Sequence, residues 1–270
     1  MIQAYLNYLF KDLPSHTTPN AFDVVDNFFL KIFQWTIFFT TIFLLAKFLG
    51  PKVAPKWYSR LTPRKIREYP SYIICTIHHL WVVPHGWIHL ITDLQRDELQ
   101  LQNIHYVLIE AKLVPFIYGY FLADLICYAL PEFINYGSIE YVLHHVMTAY
   151  LLYTVMFGSG HLLKYGPHLI ICDTANIFFS IAWLMRTSER LKNWKIVYNF
   201  ELLFVICYFF HRVINLPLAL YAVYNTPLSS TMGYGKYTFF PIVFLQWFWF
   251  YKIVASLGKK GSAKQKKNND

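Results

Sequence analysis

Seven stretches of this chain stay apolar for long enough to cross a bilayer, and little else about its fold remains open once they are recognised. They run from Val24 to Leu49, Tyr72 to Ile91, Val107 to Leu130, Tyr141 to Phe157, Pro167 to Met185, Ile196 to Val223 and Phe239 to Leu257. A helix needs about 17 to 25 residues to span, and hydrocarbon offers backbone groups no water, so only helices and closed barrels are viable. Barrel strands would alternate polar and apolar residues with period two; these runs are continuous in Leu, Ile and Phe, so they predict helices. Composition points the same way: 14% of residues are charged and 56% hydrophobic, against about 25% charged in soluble domains. The expected fold is an all-α membrane protein with seven transmembrane helices in one bundle. Residues 1–23 are expected to form a short lumenal N-terminus, 24–65 the first helix and a basic cytosolic linker, 66–257 a six-helix membrane core, and 258–270 a basic cytosolic tail.

Orientation follows from the loops, since cytoplasmic loops are enriched in Lys and Arg. The first helix is followed by Lys52, Lys56, Arg60, Arg64, Lys65 and Arg67, the fifth by Arg186, Arg190, Lys192 and Lys195, and the seventh by Lys259, Lys260, Lys264, Lys266 and Lys267. Intervening loops hold only Arg96, Lys164 and Lys236. The alternation predicts a lumenal N-terminus and a cytosolic C-terminus. Met1 to Asn20 lacks the apolar core of a cleavable signal, so the first helix is expected to insert itself. The net charge of +9 then lies mostly on one face, where it attracts anionic head groups. Nucleic acid is not expected as a partner, because the basic residues flank lipid-embedded helices. Cys75, Cys127, Cys172 and Cys207 fall inside apolar runs and are expected to act as small hydrophobes. The "GKKGSAKQKKNND" tail is expected to be disordered; its Lys266 and Lys267 are one place out of register for a dilysine retrieval signal, which points weakly to the endoplasmic reticulum.

Polar residues inside the spans can be placed by depth. At 1.5 Å rise per residue, His78 should lie roughly 12 Å below the cytosolic surface, Asp124 roughly 10 Å and His144 roughly 8 Å. Asp173 and Asn176 should share a face near the midplane, as should His211 and Asn215. An ionisable side chain in lipid is costly unless it faces the bundle interior, a partner or water, so the pattern predicts one polar intramembrane cavity open to the cytosol. Asp124 and Asp173 are its carboxylates, and His78, His144, His145 and His211 its rings; Thr148 stands one turn beyond His144. A carboxylate beside an imidazole fixes its tautomer. A purely structural polar network is the competing reading. His105 and His161 are expected to be interfacial, and His85 and His89, one turn apart beyond Pro84, stand away from the group; no metal is expected. A retinal-type receptor would need a Lys deep in a span, where only Lys252 near a helix end is available.

Three segments carry a family resemblance: "SYIICTIHH" (Ser71 to His79), "YGYFLADLICY" (Tyr118 to Tyr128) and "LHHVMT" (Leu143 to Thr148), followed by "LIICDTANIFFSIAWLM" (Leu169 to Met185). Together they resemble the TLC-domain family, which includes ceramide synthases, translocation-associated membrane proteins and smaller lipid-homeostasis proteins, over about Ile66 to Ile253. Where ceramide synthases carry His-Asp and a second Asp, this chain has Cys172, Asp173 and Asn176, and so it is more similar to the smaller, non-synthase members. The resemblance implies a multi-pass endoplasmic-reticulum protein of lipid homeostasis that binds a lipid or acyl chain within the membrane. His78, Tyr120, Thr148, Asn176 and His211 would contribute to that site. The alternative it implies is N-acyltransfer from acyl-coenzyme A to a sphingoid base. There His144 or His145 would be nucleophile or base and Asp173 or Asp124 would orient the ring; no cofactor beyond acyl-coenzyme A as co-substrate is implied.

Overall fold

A computed structural model of the chain describes residues 2–10, 26–95, 107–158 and 165–269. Its helices are α1 (Ile2–Phe10), α2 (Phe28–Val53), α3 (Pro55–Tyr58), α4 (Pro63–Gln95), α5 (Val107–Asp124), α6 (Leu130–Tyr136), α7 (Ile139–Gly158), α8 (Gly166–Ile171), α9 (Thr174–Thr187), α10 (Lys195–Tyr208), α11 (Leu216–Asn225) and α12 (Phe239–Asn269). Among the described residues there is no strand. Two π-helical turns interrupt the α pattern: Leu125–Ala129 joins α5 to α6, and Phe209–Asn215 joins α10 to α11.

Among the described residues, five helical stretches are long and apolar enough to cross a membrane: Phe28–Val53, Leu113–Tyr136, Gly166–Thr187, Lys195–Asn225 and Met232–Leu257. The chain is thus a multi-pass membrane protein. The two expected spans outside this set lie on α4 and α7, which carry His78, His79, His144 and His145. Histidines lower the hydropathy of these helices, so the helices with the most chemistry give the weakest hydrophobic signal. Both are nonetheless long enough, at 33 and 20 residues, to cover roughly 30 Å or more. Large apolar side chains such as Phe29, Phe33, Phe48, Phe244 and Tyr251 face outward, as a bundle in lipid requires.

The interior is aromatic. Phe39 and Phe43 of α2 pack against Phe116, Ile117 and Tyr120 of α5, and the close approach is made possible by Gly119. A Cβ there would lie 2.8 Å from the Trp35 carbonyl carbon and 2.9 Å from the Thr36 nitrogen. Small residues let membrane helices approach in this way.

The segments that flank the spans are helical where they are described, which corrects the expectation of an irregular tail. The N-terminus folds as a helix tucked into the bundle: Leu9 is fully buried in a core cluster with Leu151, Leu216 and Ile242. Tyr8 donates to Asp93 at 2.9 Å, and the Tyr5 hydroxyl meets His168 Nδ1 at 2.8 Å and also reaches Asn215. The tail, expected to be irregular, has the backbone of α12 continuing to Asn269. The proline-rich linker forms the short helix α3 and then enters α4 at Pro63, with Trp57 donating to Thr187 at 3.2 Å. Arg96, His105, His161 and Lys164 lie outside the described residues.

Candidate functional site

Asp124, His145, Asp173 and Asn176, all expected to converge, do so as two separate groups with different partners. The first joins α4, α5 and α7. His145 Nε2 stands 2.9 Å from Asp124 Oδ2, Ser71 donates to Asp124 Oδ1 at 2.6 Å, and His145 Nδ1 meets the Tyr141 carbonyl at 2.8 Å. Both ring nitrogens of His145 therefore face acceptors. A neutral imidazole has only one donor, so the arrangement calls for an imidazolium beside the carboxylate or a proton held on Asp124.

The second group joins α4, the α8–α9 turn and the π-turn before α11. Asp173 Oδ1 accepts from Arg212 Nη2 at 2.6 Å and from Asn176 at 3.2 Å, while Oδ2 lies 3.5 Å from His79 Nε2. His79 Nδ1 is 2.6 Å from the Cys75 carbonyl, and Asn176 approaches its Nε2 at 3.1 Å. With Nδ1 at that carbonyl, Nε2 faces both Asn176 and Asp173 Oδ2. Arg212 also donates to the Cys172 carbonyl at 3.0 Å and to Gln246 at 2.9 Å, and Tyr208 completes the set by donating to Gln246 at 2.8 Å.

Each sequence candidate has a definite place. Asp124 orients His145, as one of the expected pairings had it. Asp173, expected beside the same histidines, instead holds Arg212 and His79. His144 Nδ1 lies 3.3 Å from Thr148 Oγ1, and its ring packs edge-on against Trp249 at 5.2 Å. Tyr120 is buried, stacking on His78 at 4.1 Å and lying 5.8 Å from His79. His78 is buried with neither ring nitrogen bonded among the described residues, and it is turned toward Phe116 and Phe39 rather than to the carboxylates. His211 is displaced from the group: its ring packs on Trp87 at 5.3 Å and its carbonyl accepts from Cys172. The expected sharing of a face by His211 and Asn215 assumed α register, whereas a π-turn carries an extra residue, and here Arg212 is the side chain that reaches Asp173.

Arg212 and His79 are the residues that sequence reasoning missed. A signal existed for the arginine, since an Arg inside "FFHRVIN" has no inexpensive place in lipid without a carboxylate partner. For His79 there was none: only the orientation of α4 distinguishes it from His78. The helix break at Cys172–Asp173, where Asp173 N bonds the Ile170 carbonyl at 3.0 Å, also lacks a glycine or proline to announce it.

Two pockets meet at this site. The larger, about 330 Å³, is lined by both groups together with Tyr120, Tyr141 and Trp249. The smaller, about 80 Å³, is walled by Val82, Ile117, Leu151, Leu152, Leu216 and Ile242. Phe121, His144, Asp173 and Arg212 border both, so the two pockets adjoin at a waist of these four residues, and each combines mostly apolar walls with a few polar groups.

Fold and site together define a polytopic helical membrane protein with buried histidine–carboxylate pairs. The family model of the TLC domain matches residues 69–255, and the chain belongs to that family. No curated protein matches it.

Proposed function

We propose that this protein is a seven-span endoplasmic-reticulum protein of lipid homeostasis, with α4 and α7 completing the set of spans, and that it holds the chain of one lipid in the larger pocket, the chain's tip reaching the smaller one. The observation that carries the reading is that two mostly apolar pockets adjoin at a polar waist of His144, Asp173 and Arg212 beside Phe121, a combination that matches an amphiphile. Sites for small molecules are characteristically apolar clefts with a few convergent polar groups. The loop charges support a lumenal N-terminus and a cytosolic C-terminus. The test is to purify the full chain in mild detergent and identify retained lipid by native mass spectrometry. Leu151→Trp, which fills the smaller pocket and crowds the waist, should lower lipid retention at least about tenfold while the chain stays folded; retention unchanged by that substitution refutes the reading.

N-acyltransfer from acyl-coenzyme A to a sphingoid base is the second reading, favoured by one observation: His145 has acceptors at both nitrogens, whereas His144 meets Thr148 at Nδ1, leaving Nε2 for chemistry at the waist. In that reading Nε2 attacks the thioester carbonyl, the C–S bond breaks and coenzyme A leaves as the thiol. The amine then attacks the acyl-imidazole, forming the amide and restoring the ring. Intact-protein mass after incubation with long-chain acyl-coenzyme A should show one acyl increment, lost in His144→Ala and discharged by the base. An increment on neither histidine removes this reading and leaves the lipid-holding one in place.

A further inference from the structure

A third pocket, of about 480 Å³, adjoins the site and shares Tyr128, Tyr141, Trp249 and Lys252 with the larger lipid pocket. Three cations, Arg64, Arg67 and Lys252, and three carboxylates, Glu68, Glu132 and Glu140, line it. This balance stands out in a chain of net charge +9. The pairing is incomplete in a specific way. Arg64 reaches Glu68, and Arg67 reaches Glu132, each at 2.6 Å and each through Nε. A guanidinium carries five N–H donors in a fork suited to bidentate anion recognition, so the terminal nitrogens of both arginines are not spent on these bonds. Lys252 Nζ stands 3.8 Å from Glu140, too far for a hydrogen bond. Glu68 and Glu132 are buried, at 6% and 7% exposure.

Beside the charges stands a wall of rings. Tyr128 and Tyr141 have centroids 5.8 Å apart, and Tyr141 and Trp249 6.4 Å apart. Aromatic faces backed by carboxylates are the recognition chemistry of organic ammonium groups. A polyanion would meet three carboxylates here, and a simple cation three positive groups; a zwitterion meets complementary charge at both ends.

We propose that this vestibule binds the zwitterionic head group of a phospholipid, the phosphodiester on Arg64, Arg67 and Lys252 and the ammonium against Tyr128, Tyr141 and Trp249 beside the carboxylates. The proposal rests on the lipid-holding reading above, whose pockets would take the same molecule's chains.

Native mass spectrometry of the full chain in nanodiscs tests it, using phosphatidylcholine, phosphatidylethanolamine, phosphatidylglycerol and phosphatidic acid with matched acyl chains. The two zwitterionic lipids should be retained about tenfold more tightly than the two anionic ones, and Trp249→Ala should reduce that preference about fivefold, the scale of a partly desolvated cation–π contact. The exchange Arg67→Glu with Glu132→Arg keeps the ion pair, so it should keep thermal stability and still remove the preference. Soluble glycerophosphocholine binding as tightly as the lipid overturns the lipid assignment in favour of a soluble phosphodiester. Lipid retained without regard to head group, or with the anionic lipids preferred, overturns the vestibule proposal and leaves the lipid site standing. A chain that retains no lipid overturns both.

Discussion

Replacing Arg212 with Met tests whether the ion pair at the waist holds the bundle together. The substitution removes bonds to Asp173, to Gln246 and to the Cys172 carbonyl, and it leaves Asp173 as a carboxylate with only Asn176 and His79 near it. Stranding one member of a buried pair costs about 3–5 kcal/mol. At about 2–4 °C per kcal/mol for a chain of this size, the melting temperature in detergent should fall by roughly 6–20 °C. Asp173→Asn, which strands the guanidinium, should cost a similar amount. The double variant carries no buried charge, so it should cost about 1–3 kcal/mol, well under the sum of the singles. Thermal unfolding of the four proteins, followed by a thiol-reactive dye on the core cysteines, closes the cycle. Single variants within about 1 kcal/mol of the parent, or a double variant equal to the sum, would show that the pair is solvated and uncoupled and would refute the reasoning.

Leu9→Ala, at a fully buried position of α1, should cost about 2–5 kcal/mol, whereas Ile2→Ala at an 80% exposed position should change the melting temperature negligibly. Gly119→Ala pushes a methyl group against Trp35 and Thr36 backbone, which cannot turn aside as a side chain can; separation of α2 from α5 should cost about 1–3 kcal/mol, seen as faster proteolysis of the loop after α2. Asp124→Asn replaces the carboxylate that faces His145 and Ser71. It should shift the His145 ring to a single neutral tautomer, readable as a change in its ¹⁵N resonances, and resonances unchanged from the parent would show that Asp124 does not set the ring's protonation.

Some of this protein was legible in the order of its residues. Continuous apolar runs can only be helices in lipid, because a backbone without water must bond to itself, and this is why an all-helical, multi-pass reading needed no coordinates. Family membership was legible for a related reason: paired histidines, an aspartate and a threonine at fixed spacings on consecutive apolar runs form a pattern that composition alone does not produce. The polar residues were expected to gather because isolated ionisable groups are costly in hydrocarbon, and Asp124 and His145 do meet.

Tertiary structure alone decided which carboxylate serves which ring. Asp173 faces Arg212 and His79 because a helix break at Cys172 and a π-turn across Phe209–Asn215 rotate side chains away from the positions that unbroken α-helices would give them. The break at Cys172 has no glycine or proline of its own to mark it, whereas Pro217, two residues past the π-turn, removes a backbone donor there; helical phase accumulates over every preceding residue, so one inserted position moves all that follow. The same reasoning places His79 in the site and His78 outside its carboxylate groups, although the two are neighbours in the chain: adjacent residues on a helix point about 100° apart, and only packing against α5 and α9 fixes which direction is inward.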